Sequence, residues 1–132
     1  MTDFYDKALE KFANGEINLS EDDIKPVLLD VADYAWDKAT DEFLADIPSA
    51  ARVAIGPNLT GKTTTAGVFD ATSPYAFSAV TGDPCEAVAY FKDTGDPATS
   101  PLLSYHDSAV SGLPVTPNGG DINIIFDWIF KL

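Results

Sequence analysis

Apolar side chains first recur at helical spacing. Phe4, Ala8 and Phe12 form one line, and Tyr5 and Leu9 widen it. That period predicts a short amphipathic helix over residues 4–14, inside an N-terminal unit spanning residues 1–15. Thr2 or Asp3 is the expected cap, and Gly15 the stop signal. The period then changes. Ile24, Val27, Leu28 and Leu29 predict a strand over residues 24–30, in which Pro26 marks an edge or a bulge. "DKATDEFLADIP" reads as a second short helix or helical turn ending at or before Pro48. From there the chain reads as short strands between turn signals: "AARVAI", the β-branched "KTTTAGVFDA", "YAFSAVT" with Tyr75, Phe77 and Ala79 in alternation, "EAVAYFKD" and "PLLSYHD". After the loop "LPVTPNGGD", Ile122, Ile124 and Phe126 alternate in a C-terminal strand or tail over residues 120–132. Such spacing predicts a mainly β fold. The expectation is a compact β-sandwich or barrel-like domain of short antiparallel strands, with the N-terminal amphipathic helix and the second short helix. No repeat or linker divides residues 1–132, so the expectation is a single domain.

Composition narrows the function classes. Of 132 residues, 21 are acidic and 8 basic, for a net charge of −13. Nucleic acid phosphates and anionic lipid repel such a chain, so neither nucleic acid nor membrane is an expected partner. No apolar run reaches the roughly 18 residues of a membrane span. The acidic opening lacks the features of a secretory signal, so synthesis in a cytoplasm is expected. A lone Cys85 offers no internal disulfide and no zinc set.

One stretch promises chemistry. Gly56–Thr63, "GPNLTGKT", fits the phosphate-loop pattern G-x-x-x-x-G-K-[ST]. A working phosphate loop must be followed by a helix, whose N-terminal N–H groups meet the phosphates. Here three threonines, Gly67 and Pro74 follow the lysine, and these are poor helix formers or helix stops. "NIIFD", ending at Asp127, imitates the magnesium-binding strand of such enzymes, but no helix follows it. The better reading is a turn at Gly56-Pro57-Asn58, Leu59 dropping into the core, a bend at Gly61 and a strand opening at Lys62. Lys62 is expected to face solvent or a neighbouring acid.

Other candidate chemistry is thinner. His106 is the sole histidine. Ser104, His106 and Asp107 alternate across a strand, so the three cannot converge as a triad. The pair Asp30 and Asp33, like Asp22 and Asp23, suggests calcium without the spacing of a calcium loop. The sequence therefore assigns no catalytic residue, no metal ligand and no cofactor. The aromatic C-terminus, with Phe126, Trp128 and Phe130, reads first as a last core strand and second as an interface anchor.

Several segments together resemble a group of small structural proteins of tailed bacteriophages. They are "LTGKTTTAGVFDA" (Leu59–Ala71), Phe77–Gly95, Ser100–Asp107, Gly112–Ile122 and the closing "IFKL" (Ile129–Leu132). The opening Phe4–Tyr34 and the segment Asp41–Ala54 look like that group's first helix, strand and next segment. The likeness covers nearly the whole chain and rests on strand and turn text. It implies a non-enzymatic virion component: a capsid decoration or cement protein binding the outer surface of the head. The implied partners are the major capsid protein or other virion proteins, with the chain itself forming a homo-oligomer on the particle. The candidate contacts are Phe4 and Tyr5 on the first helix, and Trp128 and Phe130 at the C-terminus. "FDWIFKL" departs from the group's pattern, because it lacks a Gly/Asn-containing turn before "IFKL". The alternatives are a tail or head–tail connector protein, a small nucleotide-binding or hydrolytic enzyme using Gly56–Thr63, and a carbohydrate-binding module using Trp36 and Trp128.

Overall fold

The computed structural model describes residues 2–72 and 75–132. Its centre is a five-stranded sheet in the order β1 (Thr2–Phe4), β7 (Leu102–His106), β6 (Ala87–Lys92), β2 (Ile24–Leu29) and β3 (Arg52–Ile55). Two ribbons accompany it: β4 (Val68–Phe69) with β9 (Phe130–Lys131), and β5 (Tyr75–Phe77) with β8 (Ile122–Ile124). Every pairing among the described residues is antiparallel. The chain is mainly β, as its alternating runs predict. Pro74, used above as a helix stop, lies outside the described residues, as does the expectation for the Tyr75 side chain.

The middle of the sheet is covered on both faces. All five residues of β7 are buried, as are Ala87 to Phe91 of β6. One face carries Tyr90, Ser104 and His106, and Phe126 of the C-terminal segment lies over it, 6.2 Å from the Tyr90 ring. The other face carries Tyr105, on which Trp36 stacks at 4.6 Å with its ring nearly parallel. An antiparallel sheet commonly leaves one face wet. Here apolar residues at successive positions of β6 and β7 call for two covers.

Several elements differ from expectation for local reasons. The N-terminal helix, α1, spans Asp6–Ala13 rather than starting at Phe4, because Thr2–Phe4 pairs with β7 as an edge strand. Tyr5 is its N-cap and makes no side-chain capping bond. Ala8 is buried beneath it, but Leu9 faces outward and does not widen the apolar stripe. The chain leaves the helix at Asn14–Gly15, with Gly15 at a φ of 72°. The second helix is only a 3-10 turn, Leu44–Asp46. The Asp46 carboxylate holds it by accepting the N–H groups of Glu42 and Phe43, each at 2.9 Å.

Pro26 lies in an interior strand. Its carbonyl accepts the Gly56 N–H at 2.9 Å, just beyond the end of β3. Its missing donor therefore falls where the β2–β3 ladder has stopped, and the register shift sits at Leu28/Leu29 instead. The "KTTTAGVFDA" strand shrinks to Val68–Phe69. Ala66 and Gly67 both take left-handed backbone, at φ of 54° and 79°, and so break the extended run.

The chain's two ends meet in the core. Phe130 packs 4.9 Å from Phe4, 5.0 Å from Phe69 and 6.2 Å from Phe12. This cluster ties β9 to the sheet edge and to α1.

Candidate functional site

The "GPNLTGKT" segment spends three of its N–H groups on the protein. Gly56 donates to Pro26, Leu59 to the Ile24 carbonyl at 2.9 Å, and Thr63 to Asp70 at 2.9 Å. A phosphate cradle needs such groups free and convergent. Both glycines are there for packing. A Cβ on Gly56 would lie 2.8 Å from the Pro26 ring. A Cβ on Gly61, whose φ is 62°, would lie 2.2 Å from the Thr72 hydroxyl. Leu59 drops inward as expected. Lys62 does not open a strand, and its Nζ donates to the backbone carbonyl of Asp22 rather than to an acid side chain. After it comes a 3-10 turn at Thr65–Gly67 and then β4. The lysine is thus a brace between two loops.

Ser104 and His106 do converge, because positions two apart on β7 share a face. The Ser104 hydroxyl lies 2.9 Å from His106 Nε2. The other ring nitrogen, Nδ1, meets the Thr2 hydroxyl at 2.9 Å, not a carboxylate. Both Ser104 and His106 are fully buried. Burial pushes the imidazole down to about 3, so it is neutral at ordinary pH. Phe126 lies 5.1 Å from the imidazole and Tyr90 5.3 Å. A hydrolytic serine needs an open approach and an oriented base. Here the pair is sealed and works as a structural bridge between β1 and β7. Cys85 is likewise buried, with its thiol pushed up to about 12 mainly by desolvation.

The carboxylates of Asp30 and Asp33 are joined by Asp83, with one oxygen of each within 4.8 Å of the others. Sequence spacing could not supply Asp83, because it arrives from the loop before β6. Asp30 is itself used locally, its Oδ1 accepting the Ala32 N–H at 3.0 Å. Glu86 nearby accepts the Val31 N–H at 3.1 Å.

The four proposed contact residues separate sharply. Tyr5 and Phe130 are fully buried. The Tyr5 hydroxyl bonds that of Tyr34 at 2.9 Å, and Tyr34 donates to Asp41 at 2.6 Å. Phe4 is half-buried against Phe130. A side chain inside the core offers no area to a partner, so Tyr5 and Phe130 are corrected to core residues. Trp128 alone stands out, at 47% exposure. It borders an open groove of about 300 Å³ together with Thr2, Val110, Phe126 and Asp127. Val110, at 61% exposure, was missed in the sequence, where a single valine in a polar loop gives no periodic signal. Trp36, the other tryptophan, is committed to its stack on Tyr105.

No helix among the described residues is long and apolar enough to cross a membrane. No family model matches this chain, and no curated protein matches it.

Proposed function

We propose that this chain is a non-enzymatic structural protein of a tailed-phage virion, which binds the outer surface of the head as a decoration or cement protein. The resemblance of Leu59–Ala71, Phe77–Gly95, Ser100–Asp107 and Gly112–Ile122 to that group of proteins suggests the setting. The observation that carries the reading is that two exposed apolar side chains, Trp128 and Val110, line one groove of a chain whose net charge is −13. Exposed tryptophan is costly in water and is favoured at protein contacts. The side chains with reactive potential, Ser104, His106 and Cys85, are by contrast folded inward. The partner in this reading is the major capsid protein, and many copies on a symmetric shell would reinforce one another.

Co-sedimentation of the purified protein with empty capsid shells tests the proposal. Saturable binding at a copy number matching the shell's symmetry is expected. Labelled particles viewed by negative stain should carry the label on the head, and label confined to the tail would overturn the head assignment.

A further inference from the structure

We infer that the groove beside Trp128 seats a cationic segment of the shell protein, with an arginine or lysine side chain laid against the indole and its charge turned toward Asp127. This inference rests on the reading above that the chain binds another virion protein.

The groove is built rather than incidental. Its wall at Thr2 is pinned through the bond to His106 Nδ1, and its wall at Phe126 is held against the Tyr90 and His106 rings. Trp128 and Val110 therefore project from a fixed base, which lowers the ordering cost of binding. Asp127 is exposed on the same groove and has no ion-pair partner among the described residues. An indole face attracts a cation through its quadrupole, and a carboxylate beside it adds a charge-assisted bond.

Charge decides which occupant fits. The net charge is −13. Lys7, Lys11, Lys25, Lys38 and Lys92 are already engaged with carboxylates of this chain. Lys62 is held by a carbonyl. Among the described cations that leaves Arg52 and Lys131, too few to offset two acidic surfaces pressed together. A second copy would bring like charge to the groove, whereas a basic surface would be steered toward it.

The test compares variants in binding to purified empty shells, across salt from about 50 to about 500 mM. Wild-type binding should weaken as salt rises. Trp128→Ala should weaken it by about tenfold or more, and Val110→Ala by a smaller factor. Asp127→Lys should weaken it and flatten the salt dependence. Ile55→Ala, which alters an exposed apolar side chain elsewhere, should bind as wild type. These positions are exposed, so unchanged melting temperatures certify that each variant folds. If wild type binds but Trp128→Ala and Asp127→Lys bind equally well, the groove assignment falls and the virion reading stands. If wild type does not bind shells, both fall. A dimer in sedimentation velocity that Trp128→Ala dissociates would overturn the cationic occupant in favour of a second copy.

Discussion

Acidification from pH 7 to pH 5 should destabilise this fold, and His106 is the reason. The imidazole is fully buried, and desolvation holds its pKa near 3 against 6.5 for the free side chain. Its contacts are two neutral hydroxyls, Thr2 and Ser104, and two aromatic rings, Tyr90 and Phe126. Asp107 raises the pKa only as a lesser influence. Either hydroxyl can rotate to accept a proton from the ring, so protonation need not break a hydrogen bond. What it costs is the burial of a charge. The folded pKa lies below the unfolded one, so the unfolded chain binds the extra proton first. The stabilisation is complete above about pH 6.5 and is lost progressively as pH falls toward 3. Between pH 7 and pH 5 the unfolded state gains about 1.4 pK units of proton binding that the folded state does not. This is about 2 kcal/mol at 1.36 kcal/mol per unit. Domains of this kind hold only about 5–15 kcal/mol in all, so the loss is measurable. Urea denaturation at pH 7, 6 and 5 reads it directly. As this is the chain's sole histidine, its ring resonances in the folded protein can be followed without ambiguity. They should not titrate above about pH 4. His106→Gln should flatten the stability profile between pH 7 and 5, whatever its own stability. Ring resonances titrating near 6.5, or a wild-type profile flat over that window, would refute the argument.

The core and surface roles of the C-terminal aromatics should separate in denaturation experiments. Phe130→Ala should cost about 3–5 kcal/mol, and Trp128→Ala about 0.5 kcal/mol or less. Gly61→Ala should lower stability by about 1–3 kcal/mol, since it combines strain at positive φ with a clash on Thr72. Gly15→Ala, at positive φ but with nothing within 4 Å, should cost only about 1 kcal/mol, measured the same way. Cys85 should resist a thiol reagent in the native protein and react fully in urea, while rapid native labelling would contradict its burial. Magnesium with ATP or GTP should leave the melting temperature of wild type and of Lys62→Ala unmoved, because the Leu59 and Thr63 N–H groups and the Lys62 ammonium are already bonded within the protein.

The sequence was legible where a local period settles the matter. The runs that become β2, β6 and β7 declare themselves by apolar density, and Asn14–Gly15 ends the helix because backbone turns there without strain. Legibility fails where a distant segment decides. Ser104 and His106 share a face by alternation alone, but the second partner of the ring is Thr2, 104 positions away. That partner turns a suspected base into a buried bridge. The phosphate-loop match fails for a similar reason. Its glycines are required by Pro26 and Thr72, neither of which lies in the motif. The aromatics show the limit most clearly, because hydrophobicity marks Tyr5, Trp128 and Phe130 alike. Phe130 is taken inward when β9 pairs with β4 and brings its ring onto Phe4 and Phe69. Ile129 beside it is fully buried too. Asp127 and Trp128 occupy the bend between β8 and β9, where no strand partner draws them in. An indole left there is either a cost the fold tolerates or a surface that something covers. We take the second, on the fixed groove beneath the indole and on the neighbouring carboxylate, which has no ion-pair partner among the described residues.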